Sequence, residues 1–142
     1  MKNGKEISRR ILYLDNEGYI KNAAIANGES AITLSEIVGK DEKIVMNILY
    51  NNEDINQKYH LEESREVFVF QNEIGFIGKE NGQDFIFFNG KKVSAGFDGI
   101  PTHGCCMMPS YPFEIDSSGI LSFVGKRGTE SFFGEVDLNK YL

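Results

Sequence analysis

Asparagine and glycine bends recur along this chain at intervals that suit β-hairpins. Asn27-Gly28, Asn51-Asn52, Asn81-Gly82 and Asn89-Gly90 each set side by side two residues that tolerate positive φ. A tight type I′ turn demands that of both its central residues. Asn16-Glu17-Gly18, Ser118-Gly119 and Gly128 add further bends. The runs between are rich in Phe, Ile, Val and Tyr, which fit a pleated, half-buried surface better than a helix. In the clearest meander the strands are Val67–Phe70, Ile74–Gly78 and Phe85–Phe88, with turns at Gln71-Asn72-Glu73 and Glu80-Asn81-Gly82. Several of these runs are apolar at every position, the pattern of strands covered on both faces. A second meander has strands at Phe113–Ile115, Ile120–Val124 and Phe132–Val136.

The N-terminal third is less regular. Ile11–Leu14 with Tyr19-Ile20, and Ala23–Ala26 with Ala31-Ile32, read as hairpins. Thr33 to Val38 admits either a strand or a helix, the helix with a Thr33/Glu36 capping box and a stop at Gly39. Ile44 to Tyr50 would also accept a helix, with Ile44-Ile48 and Val45-Leu49 four apart, but the Asn51-Asn52 turn that ends it favours a strand.

Self-comparison reveals a repeat. Two apolar residues followed by Gly-Lys occur at Ile37–Lys40, Phe76–Lys79 and Phe123–Lys126, each followed by a polar turn and an apolar strand. A spacing of about 40 to 45 residues with several strands per unit is that of propeller blades. The repeat-like units are about 11–55, 66–100 and 113–142. Gly75–Lys79, Asn81-Gly82, Phe87–Val93 and Phe97–Ile100 resemble the WD40-like repeats of TolB-type β-propellers, where a strand ending in a basic turn precedes one reading into Asn-Gly-Lys. Ile115–Lys126 resembles the turn and following strand of the same repeats, with Asp116-Ser117-Ser118-Gly119 in place of Ser-Pro-Asp-Gly. The resemblance covers about residues 67–136 and implies a binding scaffold without a fixed catalytic site. Three units fall short of the four blades of a closed propeller. Either copies of the chain associate to cover the open faces, or the units fold as a sandwich or barrel.

Composition narrows the function. The chain's 142 residues fit one domain. Fifteen Lys and Arg against 21 Asp and Glu give a net charge of -6, unsuited to nucleic acid, which needs a basic stripe. The basic cluster Lys2, Lys5, Arg9 and Arg10 reads as a solvated segment, and the acidic residues from Glu53 to Glu66 as a polar loop. Mean hydropathy is -0.30 and charged residues interrupt every apolar run, so no membrane partner is expected. No apolar signal region follows Met1. The two cysteines, Cys105 and Cys106, are adjacent and cannot close an ordinary disulfide loop. A cytoplasmic location is the expectation.

One segment stands apart. From Gly99 to Phe113 no charged residue occurs, yet the stretch holds all three prolines and both cysteines. It reads as a long connection between the meanders, and long loops in compact domains are often functional. It could pack across the end of the core, or offer a partner Met107, Met108, Tyr111 and Phe113 as anchors. His103, Cys105 and Cys106 are weaker candidates for a soft-metal site or a thiol nucleophile, because adjacent residues rarely bind one ion. His60 reads as a surface residue. No P-loop, dinucleotide fingerprint or nucleophile elbow occurs. The expectation is therefore an all-β protein of antiparallel meanders in about three repeats, either propeller-like blades or a sandwich or barrel. Its expected function is protein binding without catalysis, as a small acidic inhibitor or adaptor that self-associates, with no cofactor. The rival is a small Cys/His-dependent enzyme or soft-metal protein centred on residues 103–108.

Overall fold

The computed structural model describes residues 20–102 and 111–142, with the side chains of residues 20–22, 37 and 38 excepted. The Ile11–Leu14 hairpin arm therefore lies outside the described residues. The rest forms an all-β structure of three antiparallel sheets, none closed into a barrel. The first sheet takes its strands in chain order: β1 (Ile20–Ala26), β2 (Glu29–Val38), β3 (Lys43–Tyr50) and the two-residue β4 (Glu53–Asp54). A five-residue helix, α1 (Ile55–Tyr59), leads to the second sheet. There β5 (Glu63–Phe70), β6 (Glu73–Glu80), β7 (Gln83–Phe88) and the short β8 (Lys91–Lys92) again pair in order. The third sheet has β9 (Phe113–Ile115), β10 (Ile120–Arg127) and β11 (Glu130–Asp137), followed by a 3-10 turn at Leu138–Tyr141.

The bends do what their residues allow. Asn27, Asn51, Asn52, Asn81 and Asn89 all take φ between 49° and 60°, and Gly28, Gly82 and Gly90 between 72° and 75°. Gln71-Asn72, with φ of 50° and 63°, makes the same turn without glycine. Thr33–Val38 is strand, not helix: β2 pairs with β1 on one side and β3 on the other. Two ladders outweigh a local capping box, because sheet pairing satisfies every backbone group of the segment. The stretch read as a polar loop contains α1. Asp54 caps it by accepting from the Gln57 N–H, and His60 closes it in the left-handed conformation. The Gly-Lys repeat maps to one place in each sheet, within or just after the second strand.

The sheets stack in sequence order, with the second in the middle. One of its faces sends Val67, Phe76 and Phe87 against Ala31 and Ile48 of the first sheet, with Ile55 and Leu61 filling the seam. The other sends Ile77, Ile86 and Phe88 against Leu121, Phe123, Val136 and Leu138 of the third. The uninterrupted apolar runs of β6 and β7 follow from this, since strands of a middle layer have no solvent face. Glycines make room for some of these rings. Phe68 lies over its cross-strand partner Gly75, and Phe123 over Gly134; a Cβ at either glycine would stand 2.0 or 2.4 Å from the ring. Among the described residues no helix is long and apolar enough to cross a membrane.

Candidate functional site

The uncharged connection is fixed at its base by a buried polar cluster. In β5 the register slips between Arg65 and Phe68, and Glu66 takes φ of 54°. This bulge places one extra residue opposite β6 and turns neighbouring side chains toward the connection. Arg65 Nη2 donates to Asp84 Oδ2 at 2.8 Å and to the Ile100 carbonyl at 2.9 Å. The Ile100 N–H donates to the same carboxylate oxygen at 2.9 Å. Asp84 also exchanges both backbone hydrogen bonds with Phe97. One residue beyond Pro101, the Thr102 hydroxyl donates to Glu66 Oε1 at 3.0 Å. The Asp84 side chain is 3% exposed and that of Arg65 14%, so the pair is shielded from water. Such a pair adds little net stability against an apolar equivalent, but losing either member strands the other charge.

The return of the connection is held differently. Phe113 packs edge-on against Phe68, ring centroids 5.8 Å apart, and lines the core between the second and third sheets. Tyr111 stays half-buried beside β10: Lys126 Nζ donates to its hydroxyl at 3.1 Å and sits 4.8 Å from the ring centre. The connection's two ends thus meet the third sheet, where Gly99 and Lys126 form a backbone bridge. Met107 and Met108, with His103, Cys105 and Cys106, lie outside the described residues. Of the four anchors named from sequence, the structure therefore places Tyr111 at the surface and Phe113 partly in the core.

The outer face of the third sheet adds a group that sequence reasoning missed. Val124 and Phe133 are cross-strand partners. Phe113 pairs with Phe123, so Pro112 falls beside Val124 on the far side. Pro112, just ahead of β9, stands in an apolar row with the cross-strand pair Val124 and Phe133, and Phe133 is 64% exposed. Tyr111 and Lys126 flank it. Aromatic residues in strands are core residues by default, and Phe132-Phe133 carries no signal to the contrary; Phe133 is exposed because it faces outward from a strand that, among the described residues, stands at the sheet edge. Phe132, on the other face, is partly covered by Phe97 and by the Arg127 guanidinium, 5.5 Å from its ring centre.

Among the described residues no group of three or more His, Cys, Asp or Glu is placed to hold a metal ion. His60 is exposed at the end of α1. Compared with known proteins, the chain matches no family, no curated protein and no solved structure.

Proposed function

We propose that this chain is a protein-binding module without catalytic function, built of blade-like repeats that associate with further copies of the chain. The observation that carries the reading is the apolar row Pro112–Val124–Phe133, set at the foot of an uncharged loop on the outer face of the last sheet. Exposed aromatic and aliphatic groups gathered on one face are the usual mark of an interaction surface. The first sheet's outer face differs: Ile25 of β1 is 70% exposed there, but Ile32, Leu34 and Leu49 of the same face form a buried cluster. Size and a net charge of -6 fit a small inhibitor or adaptor acting on a basic surface.

The test is the solution mass of the full chain by multi-angle light scattering. The expected result is a mass above the 16.0 kDa of one chain, reduced by Phe133→Glu and, to a smaller degree, by Tyr111→Ala, with an unchanged circular-dichroism spectrum. A single-chain mass at every concentration, or assembly indifferent to Phe133→Glu, rejects self-association through this face.

A further inference from the structure

The outer face of the third sheet is patterned by charge as well as by apolar groups. Leu121 and Phe123 point inward to the core, so Ser122, Val124 and Lys126 of β10 point outward. Their partners on β11 are Glu135, Phe133 and Ser131, and Glu114 of β9 stands opposite Ser122. Three rows therefore cross the strands, each two residues, or about 7 Å, from the next. The carboxylate row Glu114–Ser122–Glu135 lies on one side of the apolar row. On the other side is Lys126, with Tyr111 against it. Pro112, Glu114, Phe133 and Glu135 are exposed, and Lys126 is half-buried. Lys126 donates one ammonium proton to the Tyr111 hydroxyl and keeps two more for other acceptors.

We infer, resting on the self-association proposed above, that this face pairs with the same face of a second copy about a two-fold axis running along the apolar row. Such an axis reverses the strands. Each apolar row then meets its equivalent, and the lysine side of one copy meets the carboxylate row of the other. Lys126 faces Ser122 of the second copy, with Glu114 and Glu135 one strand spacing, about 4.8 Å, to either side. By symmetry the contact is made twice. The other two-fold arrangements set like charge against like. An axis along β10 lays Lys126 over Lys126 and carboxylates over carboxylates. An axis normal to the sheet joins two β11 edges; centred on Phe132-Phe133, it sets Glu130 opposite Glu135 twice, and like charges directly opposite destabilise a ladder. An open column, with this face laid on the first sheet of the next copy, meets a face whose Ile32, Leu34 and Leu49 are already buried. Charge complementarity therefore selects the closed pair.

The experiment is a charge exchange in the full chain, read as the dimer dissociation constant by sedimentation equilibrium. A three-stranded face is small for an interface, so the series runs up to roughly 1 mM chain. Glu114→Lys with Glu135→Lys should weaken the dimer about tenfold or more. Net charge alone predicts the reverse, since this variant brings the chain from -6 nearer to zero. Lys126→Glu should weaken the dimer to a similar degree. An equal mixture of the two variants should recover dimers to within about threefold of the wild type, because each reversed row then meets its opposite. Circular dichroism confirms folding in each variant; if Lys126→Glu does not fold, the exposed carboxylate variant decides alone. Insensitivity of either folded variant, tighter association of the carboxylate variant, or a mixture no tighter than its components overturns the inference. A monomeric wild type overturns it together with self-association. If Phe133→Glu dissociates the protein while the charge variants do not, the two-fold pairing falls and self-association through the outer face stands.

Discussion

The middle sheet meets its two neighbours by different means. Toward the third sheet the seam is aromatic, and backbone crosses it: the segment from Phe97 to Ile100 bridges to Asp84 on one side and Lys126 on the other. Toward the first sheet, side chains serve where backbone does not reach. Ser64 Oγ accepts from the Ile48 N–H at 2.9 Å, Asn56 Nδ2 donates to the Met46 carbonyl at 3.0 Å, and Asn47 Oδ1 accepts from the Asn56 N–H at 3.2 Å. β3 is covered by β4 only at Leu49 and Tyr50; beyond it, Ser64 and Asn56 meet the Ile48 N–H and the Met46 carbonyl. The lesson is that a buried strand edge can be closed either by a strand or by short polar side chains. The second route depends on single atoms.

That contrast can be broken at its strongest point first. Asp84→Ala leaves Arg65 without its carboxylate and the Ile100 N–H without its acceptor. The expected loss is about 3–5 kcal/mol in urea denaturation, with Asp84→Asn costing less because it retains an acceptor for Ile100. If Asp84→Ala costs under about 1 kcal/mol, the bridge does not hold the seam between the second and third sheets. At the other seam, Ser64→Ala strands the Ile48 N–H, and Ser64 is fully buried. About 1–3 kcal/mol is expected, and hydrogen exchange should quicken at Ile48 before it does at Asp84, whose N–H is held by the Phe97 carbonyl. Equal protection at both would erase the distinction.

The smallest effect lies outside both seams. Lys58 donates to Glu53 across 2.9 Å on the surface, and this hydrogen bond holds its pKa above the usual 10.5. A raised folded pKa means that the bonus is fully present at neutral pH and fades as pH climbs past that value. Because both groups are exposed, Lys58→Ala should cost no more than about 0.5 kcal/mol at pH 7 and nothing measurable at pH 12. A loss of 2 kcal/mol would show that α1 contributes more to the first seam than its length suggests.

Much of this architecture could be read from the residues, for a local reason. An Asn-Gly or Asn-Asn pair states its φ angles in its own chemistry, so the hairpins at residues 27, 51, 81 and 89 were legible without tertiary knowledge. Thr33–Val38 was not, because its state is set by β1 and β3 and not by the segment itself. Nor was α1: five residues carry no period, and Ile55 is held by the core it enters. In the candidate site, Tyr111 could be singled out because the connection lacks charge, and it lies half-buried beside Lys126. Phe133 was hidden because a strand's sequence does not say whether a neighbour lies beyond it. Asp84 was one carboxylate among many, singled out only when the β5 bulge brings Arg65 to it.

The two larger core clusters each join two consecutive sheets, and each sheet is a continuous stretch of chain. A protein arranged in this way grows as a column does, by courses laid on its ends. Tandem duplication of one unit would leave the existing seams undisturbed and move the exposed phenylalanine to a new terminus, whereas excising the central unit would bring together two faces never shaped for one another.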